Sequence, residues 1–340
     1  MMPSFPFMKV SCLRPLLGCC LPPLLMMIAM LSTAPSFAQT QAREDEIVAN
    51  LAGGRVIVHV AKDVIIFAAI DKPVERNSIP PRVMNVDSGH LGILFGAAEW
   101  RSPGDPKPIR MDRDLQHIGA RPPNYQPSAG EAEADLETIG VAFLEKLRPL
   151  VAQLHHKLDF APDDPIFQLV IIGYGADNYG PEVWVVEYRL EQEMIASRGE
   201  YWQTRVLRPR FTQLYPPEKH APRTIVESRY PPDSKGPTLA ELIQGNEPRI
   251  VQIAAGNPRF TKVIENIHGG TAQKAVAVDS ADFMRAVLPV IAGNTPFILG
   301  TLSEQHGFEW IIPPAEPLEK AAEDKDRPPD APTLRRPPKP

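Results

Sequence analysis

The sequence predicts an α+β domain in which antiparallel strand pairs flank a central block of helices. Three observations predict it. Short apolar runs come in twos, joined by turn residues. One long segment repeats its apolar residues at helical spacing. Strand pairs stand both before and after the helices, which argues for layered sheets and helices.

Arg55 to Phe67 opens the domain as a hairpin. Val56-Ile57-Val58-His59-Val60 is one strand, Ala61-Lys62-Asp63 the turn, and Val64-Ile65-Ile66-Phe67 the other strand. A second pair runs from Arg82 to Val86 and from Leu91 to Phe95 through Asp87-Ser88-Gly89-His90. Residues 101–130 carry prolines and little periodicity and are expected to form a long loop. Leu136, Ile139, Phe143, Leu147, Leu150, Val151, Leu154 and Leu158 then recur at spacings of three and four. That spacing predicts one long helix, with a kink at Pro149. Ile166 to Ile172 and Val183 to Leu190 pair next, and the first run is almost wholly apolar, as in a strand buried on both faces. Residues 198–236, rich in arginine, aromatics and proline, are expected to be an irregular arm. Shorter helices follow at Leu239 to Ile243, within Phe260 to Ile267, and at Ala281 to Ile291. A hairpin of Phe297 to Leu302 and Phe308 to Ile312 closes the domain.

The two ends of the chain have their own character. Residues 1–38 read as a secretory leader. Lys9 and Arg14 give a positive start, Leu16 to Leu31 an apolar centre, and Ser36-Phe37-Ala38 a cleavage site before Gln39. An uncleaved anchor is the rival reading, but Pro22 and Pro23 interrupt the run, which is shorter than the roughly 20 apolar residues a span needs. Leu16-Leu17-Gly18-Cys19 loosely resembles a lipid-attachment site, yet the longer apolar run follows Cys19 instead of preceding it. The expected location is therefore outside the cytoplasm, in the periplasm or secreted. The expected mature N-terminus, residues 39–52, is mobile. The tail, residues 313–340, is rich in proline and charge, buries little, and is expected to be disordered.

Composition excludes several chemistries. All three cysteines, Cys12, Cys19 and Cys20, lie in the leader, so cleavage removes disulfides, thiol nucleophiles and thiolate metal sites together. Loss of Lys9 and Arg14 takes the net charge from −5 to −7, a poor balance for nucleic-acid binding. No later stretch is apolar enough to span a membrane, and no cofactor motif is present. Gly173-Tyr174-Gly175 follows an apolar strand, but Asn178 stands where a dinucleotide loop needs its third glycine. Asp87-Ser88-Gly89 copies the aspartic-protease triplet without the second copy that chemistry requires. Of the eight histidines only His155 and His156 are adjacent, and helical neighbours point about 100 degrees apart.

Three stretches resemble the proteasome β-subunit group of N-terminal-nucleophile hydrolases. They are Gly53-Gly54-Arg55-Val56-Ile57-Val58 through Ala68-Ala69-Ile70-Asp71; Arg82-Val83-Met84-Asn85-Val86-Asp87 with Leu91 to Ala98; and Val170 to Tyr174 with Gly180-Pro181-Glu182-Val183-Trp184. The resemblance covers residues 53–312 and implies a four-layer α/β/β/α sandwich with two antiparallel sheets. It also implies a nucleophile at the start of the first strand, with its own α-amine as base. Here Gly54 is followed by Arg55, which has neither hydroxyl nor thiol. Asp71 falls where the family keeps an acid. Arg82 falls where it keeps a lysine, and a guanidinium cannot adjust its protonation as an amine can.

The departures fall on the chemistry, so the expected function is a non-catalytic exported protein of this fold, acting by binding or self-assembly. Tyr201, Trp202, Arg205, Arg208, Arg210 and Tyr215 are its expected contact residues, since aromatics and arginines interleave there. One alternative is an exported peptidase or amidase with a displaced nucleophile, such as Thr40 after further trimming. Another is a structural envelope component that contacts another envelope protein through its proline-rich tail.

Overall fold

The computed structural model describes residues 48–71, 81–86, 89–101, 109–111, 131–154, 163–175, 180–195, 201–216, 223–271 and 276–314. The expected leader, Thr40, Asp87-Ser88, the His155-His156 pair and nearly all of the expected tail lie outside them.

Strand β1 (Val48–Ala52) leads into a hairpin of β2 (Gly54–Ala61) and β3 (Val64–Asp71). Strands β4 (Arg82–Asn85), β5 (His90–Arg101) and β6 (Ile109–Arg110) precede helix α1 (Glu131–Val151). Then come β7 (Pro165–Gly175), β8 (Gly180–Ile195), β9 (Tyr201–Val206), β10 (Arg210–Tyr215) and β11 (Ile225–Tyr230). Helices α2 (Leu239–Gln244), α3 (Pro248–Ala255), α4 (Pro258–His268) and α5 (Ala277–Ala292) lead to the closing hairpin, β12 (Phe297–Ser303) and β13 (Gly307–Ile312).

The strands form two sheets, and every strand pairing is antiparallel. The first sheet runs β1-β5-β7-β8-β10, with β4 and β6 also on β5 and β9 on β8; the second runs β11-β2-β3-β12-β13. The chain is therefore α+β with antiparallel pairing, as the sequence predicts. Strand β7 is buried from Phe167 to Gly173, with Gln168 its one polar side chain, and β3 from Val64 to Ile70, so both fit strands covered on both faces.

Alternation along the strands sorts the apolar residues into three clusters. On one face of the first sheet, Leu94, Phe167 and Leu169 pack with Ile139, Phe143 and Leu147 of α1. Its other face meets the second sheet: Ile93, Phe95 and Val170 cluster with Val56, Val58 and Phe67. The far face of the second sheet holds Ile57, Ile66 and Ala68, against Leu239, Phe283 and Val287 of the later helices. Each fully buried Ile or Phe contributes about 1.5–3 kcal/mol. Polar links join the sheets: Ser228 Oγ donates to Gln168 Oε1 (3.1 Å), and Tyr230 Oη donates to the Pro165 carbonyl (2.9 Å).

Four expectations need correction. Residues 48–52, expected within a mobile start, form β1 and pair with β5. The expected irregular arm at 198–236 contains three strands, β9, β10 and β11. Its prolines misled the reading because Pro209, Pro216 and Pro231 fall between strands, where a missing N–H costs no ladder bond. Helix α1 ends at Val151, soon after Pro149, instead of continuing to Leu158. Helix α3 was not expected at all; it starts with Pro248 in the first turn and is flanked by Gly245-Asn246 and Gly256-Asn257.

Candidate functional site

The residues matched to the family's catalytic positions lie on three different faces. Arg55 and Ile57 share the helix-covered face of the second sheet, where Arg55 Nη1 lies 3.4 Å from Glu227 Oε1. Glu227 Oε1 also accepts from Arg229 Nε at 2.7 Å, and Glu227 Oε2 accepts from the Leu239 amide at 3.2 Å. The carboxylate is 4 % exposed and ties two guanidinium groups to the start of α2. Burial lowers the Arg55 pKa; Glu227 raises it again, and Arg229 adds repulsion.

Asp71 pairs with Gly54 across the hairpin but follows Ala69 on the opposite, inter-sheet face. Burial pushes its carboxyl up to about 6. Arg82 lies on the first sheet and shares the α1-covered face with Met84, its guanidinium 2.6 Å from Glu99 Oε1. Arg55, Asp71 and Arg82 thus do not converge.

The backbone adds a second departure. Strand β1 belongs to the first sheet and β2 to the second, so the chain crosses between them through Gly53 and Gly54. Gly54 has φ 152°, a conformation only glycine adopts easily, and this makes the crossing possible. The nitrogen of Arg55 is accordingly an amide within a continuous run, not an amine at a chain start.

The expected contact residues do not form one patch either. Trp202 pairs with Met194 and Tyr215 with Val183, near opposite ends of β8. Eleven residues of strand separate those partners, roughly 36 Å. Tyr201 begins β9 opposite Ile195. Arg205 is exposed, its Nε donating to Glu191 Oε2 at 2.7 Å; Arg208 and Arg210 are exposed between the two ends. Tyr215 lines a cavity.

That cavity is a cleft of about 270 Å³ where two turns of the second sheet meet the ends of β7, β8 and β10. The β2–β3 turn brings Lys62 and Asp63, the β12–β13 turn brings Glu304 and Gln305, and the first sheet contributes Tyr174 and Tyr215. Asp63 turns the chain with φ 59°, a left-handed conformation that Asp and Asn tolerate. Val60, Ala61 and Pro181 complete an apolar floor. Tyr174 Oη donates to the Leu302 carbonyl at 3.2 Å, which ties the first sheet to the second here. Burial, with the negative charges of Glu304 and Asp63 adding to it, raises the Tyr174 pKa to about 12. Burial also raises that of Tyr215.

Comparison with known proteins assigns no family: no family model and no curated protein matches the chain. Among the described residues no helix is long and apolar enough to cross a membrane, and no His, Cys, Asp and Glu group is placed to hold a metal ion.

Sequence reasoning missed two groupings. The first is the cleft, whose charges come from turn residues with no shared motif. The second is a buried row across β5, β7 and β8, where His90 Nε2 lies 2.6 Å from Glu182 Oε1. Trp184 Nε1 donates to the other carboxylate oxygen at 2.9 Å. His90 and Glu182 sit one strand apart on either side of Gly173, and the ring occupies the space a side chain at 173 would need. His59 is fully buried, its Nδ1 donating to the Thr224 carbonyl (3.2 Å); burial holds its pKa down at about 4, so the ring is neutral.

Proposed function

We propose that this chain is an exported, non-catalytic binding protein built on the layer order of the N-terminal-nucleophile hydrolases. The three clusters support that order: α1, first sheet, second sheet, later helices, the α/β/β/α sequence of a four-layer sandwich. The observation that carries the non-catalytic reading is the setting of Arg55. Its side chain is held by Glu227 on the face away from the inter-sheet space, and its backbone nitrogen is acylated by Gly54. Neither an attacking hydroxyl nor a free α-amine stands at that position, and that chemistry needs both. A fold can persist when the residues of its site are gone, because apolar pattern maintains the one and particular side chains the other. Export rests on the leader-like residues 1–38.

The test is N-terminal sequencing of protein recovered from its host, together with mass spectrometry after treatment with a mechanism-based acylating probe. The expected result is a start at Gln39 and no adduct. A processed terminus that begins with serine or threonine and carries the probe would overturn the reading.

A further inference from the structure

The cleft at the hairpin tips combines features that select one kind of ligand. Its rim carries the exposed carboxylates of Asp63 and Glu304, and among the described residues neither forms an ion pair. Among the described residues Lys62 is the one cation on the lining, and their charges sum to a net negative value. The walls are the half-buried rings of Tyr174 and Tyr215, and the floor is apolar. An aromatic face attracts a cation through its quadrupole, and a carboxylate adds a direct charge. The size, about 270 Å³, falls just below the roughly 300–1,000 Å³ of pockets for drug-sized ligands, and so suits a small ligand or one side chain.

We infer that this cleft binds an organic ammonium group, its carbon body against the tyrosines and its charge between Asp63 and Glu304. Geometry alone motivates this: carboxylates from two different turns of the second sheet converge beside aromatic residues from the first. The field at the Tyr174 hydroxyl has the matching sign, since both carboxylates disfavour a negative phenolate. Among the described lining residues an anionic ligand would find Lys62 alone to offset that field. The same ammonium chemistry can come from a small free amine or from a lysine side chain of another protein.

The inference rests on the reading of the chain as a binding protein, and its test is separate from the acylation experiment. Isotope-labelled mature protein is titrated with choline, with lysine blocked at both termini, and with dimethylbutanol, the uncharged carbon isostere of choline. At least one ammonium probe should shift the amide resonances of Asp63, Tyr174 and Glu304, and the alcohol should not at equal concentration. Asp63→Asn and Glu304→Gln should each weaken binding about fivefold, whereas Lys62→Gln should tighten it about twofold. Both carboxylates lie in exposed turns, and thermal melts check that the variants remain folded. Binding of choline alone, or of blocked lysine alone, supports the site and identifies the source of the amine. Equal binding of the alcohol, unchanged affinity in both carboxylate variants, or shifts confined to other residues would overturn it. A probe-labelled N-terminus would overturn the non-catalytic reading and leave these binding outcomes standing.

Discussion

The two ends of the β2–β3 hairpin carry charge in opposite ways. At the open end, Arg55 and Arg229 share the buried Glu227, whose second oxygen accepts from the Leu239 amide. Those charges are consumed within the fold. At the turn end, Lys62 and Asp63 are exposed beside Glu304, and among the described residues none of the three forms an ion pair. Charges that satisfy one another hold a structure together; charges left in a cleft are available to something else. The end that the family resemblance marks for chemistry is the structural end here, and the end it leaves unmarked has the open site.

The comparison can be broken most sharply at Glu227. Glu227→Ala leaves two guanidinium groups side by side without their carboxylate and removes the acceptor for the start of α2. The expected loss is about 3 kcal/mol of stability, because an uncompensated buried charge costs more than the pair contributed. Urea denaturation measures it, and a loss under about 1 kcal/mol would show that Glu227 is not structural. A similar locked pair lies near the cleft, where His90 reaches Glu182 across Gly173. A β-carbon at 173 would come within 2.2 Å of the His90 ring and 2.5 Å of the Gly89 carbonyl oxygen. Gly173→Ala should therefore cost about 2 kcal/mol through overpacking, read from the same denaturation curves.

What was legible in the sequence follows from what apolar pattern can encode. The runs Val56 to Val60, Val64 to Phe67 and Ile166 to Ile172 named their strands, since strands buried on both faces read as almost wholly apolar, with only His59 and Gln168 polar among them. Turn chemistry at Lys62-Asp63 was readable for the same local reason. The strands β9 to β11 were not, because their prolines suggested a loop while sitting only at strand ends. Helix α3 was hidden by its length of 8 residues, two turns that hold few periodic positions. The cleft was beyond reach for another reason. Asp63, Tyr174, Tyr215 and Glu304 are far apart in the chain, and only the meeting of two sheets brings them together. Likewise the resemblance matched Arg55, Asp71 and Arg82 to one site, but strand alternation parts Arg55 from Asp71 and the division into two sheets parts both from Arg82.

Asp71 sharpens the comparison through pH. It stands at the structural end with its pKa raised from 3.8 to about 6 by burial alone. A carboxyl that binds its proton more tightly when folded contributes stability at low pH, lost as pH rises from about 4 to 6. Asp71→Asn should then be more stable than the parent above pH 6 and equal to it below pH 4. The gain is modest because the group is partly exposed and solvent screens it. Thermal melts across that range check the sign. A variant that loses stability at neutral pH would mean that the ionised carboxylate has a partner that holds it.

The smallest expected effect bears most directly on the difference between the ends. Glu304 is exposed in the β12–β13 turn and takes part in no ion pair among the described residues, so Glu304→Gln should change stability by less than about 0.5 kcal/mol. The same change should weaken ammonium binding. A variant that kept its melting temperature and lost affinity would separate the charge that builds this protein from the charge that serves it. If Glu304→Gln instead destabilised the fold as Glu227→Ala does, the carboxylate would be tied internally at both ends of the hairpin. The cleft would then be another polar seam between the sheets, of the kind Ser228 and Gln168 already make.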